Sequence, residues 1–428
     1  MKTLGIVAEY NPFHKGHKYL IDKLKKETGA DYVVVIMSGD YVQRGCPAIL
    51  RKDVRAHMAL MEGADLVLEL PIYYSSQSAE FFAKGAVSIL DDFGCIDYLG
   101  FGSESGDVES ISMIADVLLS EPDDFKFSIK KHLKEGLSYA SARAIAVSET
   151  LNADALSAKN IDDKKDYISD ILSSPNNVLA IEYLKALKWK NSSIVPVTTK
   201  RVGEGYDSLN ISDEENAFSS ATAIRNIIEK GSVNSHIPAK EDADKLLQKV
   251  VPGSTLPLYY NEKITTLDDF SSLLHYRLLL EKSEGFNKYA DVSEDLSDKI
   301  INNINSFESI SDFTMKLKTK DLTYSRISRA LLHILLGITK ESSDRYTKDN
   351  SFTGYGRILG LNKNASAMLK KIQENSTIPI ISKLADAYKI LDDNELSLLK
   401  ETISASEIYN MVRGDTTISE YRSQIIVI

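Results

Sequence analysis

Thr3-Leu4-Gly5-Ile6-Val7-Ala8-Glu9-Tyr10-Asn11-Pro12-Phe13-His14-Lys15-Gly16-His17 opens the chain and decides its reading. Its first six residues are apolar and β-rich, and from Gly16 onward Leu20 and Leu24 fall on one helical face. The stretch therefore predicts a strand, a tight turn and a helix start. At the carboxyl edge of a parallel sheet such a turn presents free backbone N–H groups and the positive end of a helix dipole, which together favour phosphate. Pro12 fixes the turn and Gly16 admits close backbone approach. His14 and His17 can both face an α-phosphate as its charge rises during displacement. An isolated H-x-G-H also describes a capped helix with two surface histidines, so the surroundings must decide.

Working outward, apolar β-branched runs at 3–8, 32–37, 66–70 and 98–101 alternate with helical patterns at 16–27, 52–61 and 79–90. That rhythm predicts an α/β fold, a Rossmann-like parallel sheet covered by helices. From Val108 the pattern turns helical through 125–135, 138–149 and 177–188, an insertion at about 108–190. A strand is expected at 194–197 and a short returning helix at 220–230. The first domain is thus placed at 1–235. Beyond it, helical patterns at 267–283, 294–307, 324–336, 364–371 and 395–413 predict an all-helical C-terminal domain over 236–428. Tyr355-Gly356-Arg357 reads either as a contact or as a glycine-permitted turn between helices, and Gln424-Ile425-Ile426-Val427-Ile428 as a docked strand or apolar tail.

A second phosphate-suited element is Phe218-Ser219-Ser220-Ala221-Thr222-Ala223-Ile224-Arg225, which places hydroxyls and a guanidinium at another helix start. Alone, the same pattern is a plain N-cap followed by a surface arginine. Paired with the first motif it is far more specific.

The 428 residues, 43% hydrophobic and 26% charged, describe an ordinary globular chain of two or three domains. Two cysteines, Cys46 and Cys95, are too few for a disulfide framework or a thiolate zinc site, which fits a reducing compartment, and cytoplasm is the expectation. No apolar run approaches the roughly 20 residues that span a bilayer. A formal net charge of -10 argues against non-specific coating of nucleic acid but leaves room for a local basic patch. Lys316, Lys318, Lys320, Arg326 and Arg329 form one, with Tyr324 among them and Asp321 as the single acid. Such a run holds RNA phosphates or is a solvated helix face.

The two phosphate elements together resemble the HIGH-type nucleotidyltransferase superfamily. Within it, the opening motif, Met37-Ser38-Gly39-Asp40-Tyr41-Val42-Gln43-Arg44-Gly45, Asp65-Leu66-Val67-Leu68-Glu69-Leu70-Pro71, Phe101-Gly102-Ser103-Glu104, Pro175-Asn176-Asn177 and Arg326-Ile327-Ser328-Arg329 look like the bacterial tRNA(Met) cytidine acetate ligase family. The likeness covers most of the chain. It implies ATP-dependent activation of acetate as acetyl-adenylate, with Mg²⁺, and acetyl transfer to N4 of the wobble cytidine of elongator tRNA(Met). By the same likeness, Val7, Ala8, Glu9, Tyr10, Asn11, Pro12, Phe13, His14, Lys15, Gly16, His17, Lys18, Tyr19 and Leu20 should bind ATP, with Gly102, Asn177 and Arg201, while Asn176 stays an alternative to Asn177. Ser220, Thr222 and Arg225 complete the phosphate contacts, and His14, His17 and Arg225 are the expected catalytic residues. No metal-ligating side chain is expected. Glu104 reads either as a substrate-orienting carboxylate or as a helix cap. Two rivals are a transferase that adenylylates a small coenzyme precursor and a non-enzymatic RNA-binding regulator.

Overall fold

The computed structural model describes residues 1–151, 164–201, 220–232, 237–347, 352, 354–415, 417 and 419–428. Its centre is a sheet of eight strands: β1 (Thr3–Ala8), β2 (Tyr32–Ser38), β5 (Leu66–Leu70), β6 (Tyr98–Ser103), β7 (Val195–Lys200), β8 (Gly356–Leu361), β9 (Ile380–Ile381) and β10 (Ile426–Val427). The short β3 (Tyr41–Val42) and β4 (Cys46–Pro47) form a separate antiparallel hairpin. The strand order is β10-β8-β5-β2-β1-β6-β7, with β9 beside β8. All neighbours run parallel except β5 and β8.

Strand β2 shows why the sheet is central. Val34 and Ile36 enter one hydrophobic cluster while Val33, Val35 and Met37 enter the other, as the two-residue period of a strand requires when both faces are covered. The chain runs from β1 outward through β2 to β5, then crosses back to β6 on the other side of β1. The carboxyl end of β1 is therefore a topological switch point, where open α/β sheets bind ligands.

The parallel α/β sheet and the helical stretch are as the pattern predicted. Between β6 and β7 the described residues hold helices at Val108–Ser120, Asp123–Lys134, Tyr139–Thr150, Lys164–Ser173 and Pro175–Trp189. The expectation of an all-helical C-terminal part needs correction, because β8, β9 and β10 all lie in it and join the sheet begun at the N-terminus. Tyr355-Gly356-Arg357 opens a strand, not a turn. The glycines of this strand are close-approach points: a Cβ at Gly356 would sit 2.6 Å from Ile380 Cδ1, and one at Gly360 2.7 Å from Leu60 Cδ1. The apolar C-terminus is a docked strand, with Ile426 and Val427 paired to Gly360 and Leu361.

Buried charges tie this late strand in place. Lys52 Nζ lies 2.8 Å from Glu69 and 2.9 Å from Glu420, and Arg357 reaches the same two carboxylates. Asp40 accepts the Lys52 backbone N–H at 2.9 Å and faces its ammonium at 3.6 Å. Lys52, Glu69, Arg357 and Glu420 are each under 7% exposed, so every charge there needs its partner. No helix among the described residues is long and apolar enough to cross a membrane.

Candidate active site

The loop after β1 is built around a helix start. His14 is the N-cap of the Lys15–Thr28 helix, and its Nδ1 accepts the Gly16 N–H at 3.1 Å. In return His17 Nδ1 accepts the His14 N–H at 3.2 Å, so the two imidazoles form a reciprocal capping box. Their rings stack with centroids 3.7 Å apart. This fixes the tautomers: a neutral imidazole whose Nδ1 accepts must carry its proton on Nε2. Burial, and then the guanidiniums of Arg201 and Arg225, push the His14 imidazole down to about 3. Burial, His14 and Arg201 likewise lower His17. At neutral pH both rings are neutral donors through Nε2.

Arginine holds the loop from beneath. The fully buried Arg55 donates to the carbonyl oxygens of Leu50, Glu9, Ser38 and Gly39, which joins the ends of β1 and β2. Asn11 is gripped twice, its Oδ1 by Ile49 N at 2.8 Å and its carbonyl by Arg225 Nη1 at 2.8 Å. Glu9 Oε1 accepts Gln43 N at 2.8 Å, and burial raises the Glu9 carboxyl above its ordinary range.

These residues line one cavity. Val7, Ala8, Glu9, Tyr10, Asn11, His14, His17 and Leu20 come from the first motif, joined by Gly102, Arg201 and Arg225. The Arg201 side chain runs past Gly102, its Cγ 3.4 Å from where a Cβ would stand. The sequence reading missed Gln43, Phe82, Phe101, Leu179 and Tyr183, which close the cavity with a largely apolar wall. Of these, Gln43 and Phe101 stood in quoted motifs but were not read as cavity residues.

Other expected residues lie elsewhere. Phe13 is fully buried, and its carbonyl accepts the Tyr259 hydroxyl. Pro12, Gly16 and Tyr19 do not line the cavity, Lys15 Nζ caps the Ile237–Val250 helix through the Lys249 carbonyl at 2.6 Å, and Lys18 pairs with Asp22 and Glu62 at 3.3 Å each. Of the two asparagines, Asn176 lines the cavity and its Oδ1 takes Arg201 Nη1 at 3.3 Å. Asn177 is 2% exposed and turned to Ser105 N at 3.1 Å. Glu104 is a cap: its carboxylate takes the backbone N–H groups of Asn176 and Asn177 at the start of the Pro175–Trp189 helix.

Phe218 and Ser219 fall outside the described residues. Ser220 caps the Ala221–Ser232 helix by accepting Ala223 N at 3.0 Å, and Thr222 Oγ1 accepts Arg225 Nη2 at 3.0 Å. Neither hydroxyl lines the cavity, whereas Ala221 and Arg225 do.

The basic run does not gather into one free patch. Lys316 pairs with Asp312 at 2.7 Å and Glu308 at 3.1 Å, and Arg329 with Asp291 at 2.9 Å. Lys318, Lys320 and Arg326 are exposed.

Chemically, the cavity gathers two Nε2 donors and two guanidiniums beside a helix N-terminus, a donor set for a polyphosphate whose charge shifts between oxygens. No group of three or more His, Cys, Asp or Glu side chains able to hold a metal occurs among the described residues.

The chain matches the HIGH Nucleotidyl Transferase family over residues 1–424. It is 39% identical over 423 residues to the tRNA(Met) cytidine acetate ligase of Caldanaerobacter subterraneus subsp. tengcongensis, covering 98% of each chain. It is 38% identical to the protein of that name from Acetivibrio thermocellus, over 96% of this chain and 95% of the other. Among solved structures, Thermotoga maritima TmcAL bound with alpha-thio ATP superposes with a TM-score of 0.85 at 28% identity, covering 100% of this chain and 99% of that one. The apo form of the same protein gives 0.87 at 28% identity, covering 100% of both.

Proposed function

The chain belongs to the HIGH nucleotidyl transferase family, among the tRNA(Met) cytidine acetate ligases, and from that premise we propose how its residues activate acetate with ATP and pass the acetyl group to a tRNA cytidine. The observation that carries the mechanism is the stacked His14–His17 pair, whose Nδ1 atoms are tied to backbone and whose Nε2 atoms are left as donors.

Acetate cannot lose oxide from its carbonyl carbon, so a better leaving group has to be attached first. ATP binds with its α-phosphate at the histidines. An acetate oxygen attacks the α-phosphorus, the bond to the β-phosphate breaks, and pyrophosphate leaves. Charge grows on the equatorial oxygens and on the departing group, where the His14 and His17 donors and the Arg225 and Arg201 guanidiniums stabilise it. The apolar surface of Phe101, Leu179 and Tyr183 offers a dry wall for adenine or the acetyl methyl. Bound Mg²⁺ would supply further neutralisation of the phosphate charge, alongside the guanidiniums of Arg201 and Arg225 that line the cavity.

In the second step the cytidine N4 nitrogen bonds to the acetyl carbon, the carbon–oxygen bond to phosphate breaks, and AMP leaves with the electron pair while the surplus amine proton passes to water. The acceptor is the wobble cytidine of elongator tRNA(Met). Residues 1–235 carry the adenylation site and the helices within 236–428 hold the RNA, with Lys318, Lys320 and Arg326 as its phosphate contacts. The protein works in the cytoplasm, where its substrates are.

The test is exchange of labelled pyrophosphate into ATP. It should depend on acetate, and fall about 10²–10³-fold in His14→Ala and His17→Ala, the range for losing one preorganised donor. Unchanged exchange in either variant sinks the assignment.

A further inference from the structure

Beside the nucleotide cavity lies a second, larger one of about 640 Å³, for which adenylation has no use. The two share Gln43, Leu179 and Arg225 as common wall. Its volume falls within the roughly 300–1,000 Å³ of small-molecule sites. The far side is formed by Lys318 and the first turn of the Tyr324–Leu336 helix, through Tyr324, Ser325 and Ser328.

That far wall is fixed to the near one by backbone. Gly45, at φ +77°, lies against the helix so closely that a Cβ would stand 2.3 Å from Arg329 N, and Ser328 Oγ donates to the Gly45 carbonyl at 2.8 Å. The β3–β4 hairpin thus carries Gln43 on the nucleotide side and holds the helix start on the other.

We propose that this cavity seats the acceptor nucleotide, an unstacked pyrimidine from single-stranded RNA, with the Tyr324 ring as its stacking face. The assignment rests on the acetate-ligase reading, since the second substrate must reach the acetyl carbon from a space that opens on the nucleotide site. Only a base taken out of its stack can enter a pocket of this kind, and such a base needs an aromatic surface to replace its lost neighbours. Tyr324 is half-buried, and no other ring among the described residues stacks on it. Lys318 at the rim supplies the charge a phosphate requires, and the Thr323 and Ser325 hydroxyls at the helix start offer hydrogen bonds to a base edge or ribose.

The experiment compares unmodified tRNA(Met) bearing cytidine at the wobble position with the same RNA bearing an abasic nucleotide there. The enzyme should bind the cytidine form about 10–100-fold more tightly, the worth of one stacked base, Tyr324→Ala should bind both equally weakly, and Tyr324→Phe should keep the preference. Acetyl transfer by Tyr324→Ala should fall by the same factor while acetate-dependent exchange is unchanged. A Tyr324→Ala enzyme that still prefers cytidine, or that loses exchange in proportion to transfer, overturns the proposal. Absence of acetate-dependent exchange in the unaltered enzyme overturns the ligase reading instead, and the acceptor assignment with it.

Discussion

Gly45→Ala is the sharpest perturbation of how the two halves of the reaction are held together. The new Cβ would meet Arg329 N at 2.3 Å, Arg329 Cα at 2.5 Å and the Ser328 carbonyl carbon at 2.7 Å. All three are backbone atoms of one helix, so no side chain can swing aside. Restoring ordinary contact requires hairpin and helix to part by about 1 Å, and the bond from Ser328 Oγ to the Gly45 carbonyl, 2.8 Å in the native protein, stretches or breaks. An alanine in the left-handed region adds about 1–2 kcal/mol of its own. The first turn of the Tyr324–Leu336 helix moves away from the nucleotide site with its acceptor-facing residues, while His14 and His17 stay tied to their own capping box. A misplacement of about 1 Å can cost 10²-fold in a reaction that depends on alignment, so acetyl transfer should fall about 100-fold and acetate-dependent exchange less than about tenfold. The assay is the ratio of the two rates in one preparation, with the melting temperature to show that the variant is folded. Transfer at the native rate, or equal losses in both activities, would refute the reasoning.

Three further outcomes are expected. In the free enzyme the unfolded His14 protonates near 6.5, whereas the native ring is held down to about 3 by burial and the flanking guanidiniums, so the unfolded state binds the proton first as pH drops. Stability should therefore decline from about pH 6.5 towards 3, and His14→Asn should flatten that decline; parallel melting curves for the two proteins would contradict it. Replacing Lys318, Lys320 and Arg326 by alanine should weaken tRNA binding and reduce the slope of log affinity against log salt by about 2, measured by anisotropy titrations; an unchanged slope removes these residues from the RNA surface. Lys52→Met leaves Glu69 and Glu420 with Arg357 as the cation still bonded to both and takes the facing ammonium from Asp40, and should cost about 3–5 kcal/mol in urea unfolding, whereas a loss under about 1 kcal/mol would mean that the cluster relaxes freely.

What the sequence revealed follows from how local each feature is. His14 and His17 were legible because their spacing, the strand before them and the helix after them occupy one continuous stretch. Arg225 was legible as part of a second helix start, although the Ser220 and Thr222 hydroxyls beside it serve the cap and the guanidinium. Asn176 and Asn177 are neighbours at one helix start, and only packing decides that the second turns inward to Ser105. Tyr183 and Leu179 carried no motif, since they reach the cavity only when the Pro175–Trp189 helix packs beside β6. Strand β8 was hidden by its own glycines, whose role is to let Ile380 and Leu60 approach. Its anchors, Glu69 and Arg357, are 288 residues apart in sequence, and no local pattern announces such a pair.

The most direct test supplies ATP, labelled acetate and unmodified bulk tRNA together and then locates the label by nuclease mapping. Label confined to the wobble cytidine of elongator tRNA(Met), with one AMP formed per acetyl group transferred, is the predicted result. AMP retained in a stable small-molecule product, or tRNA bound without label, would contradict the account.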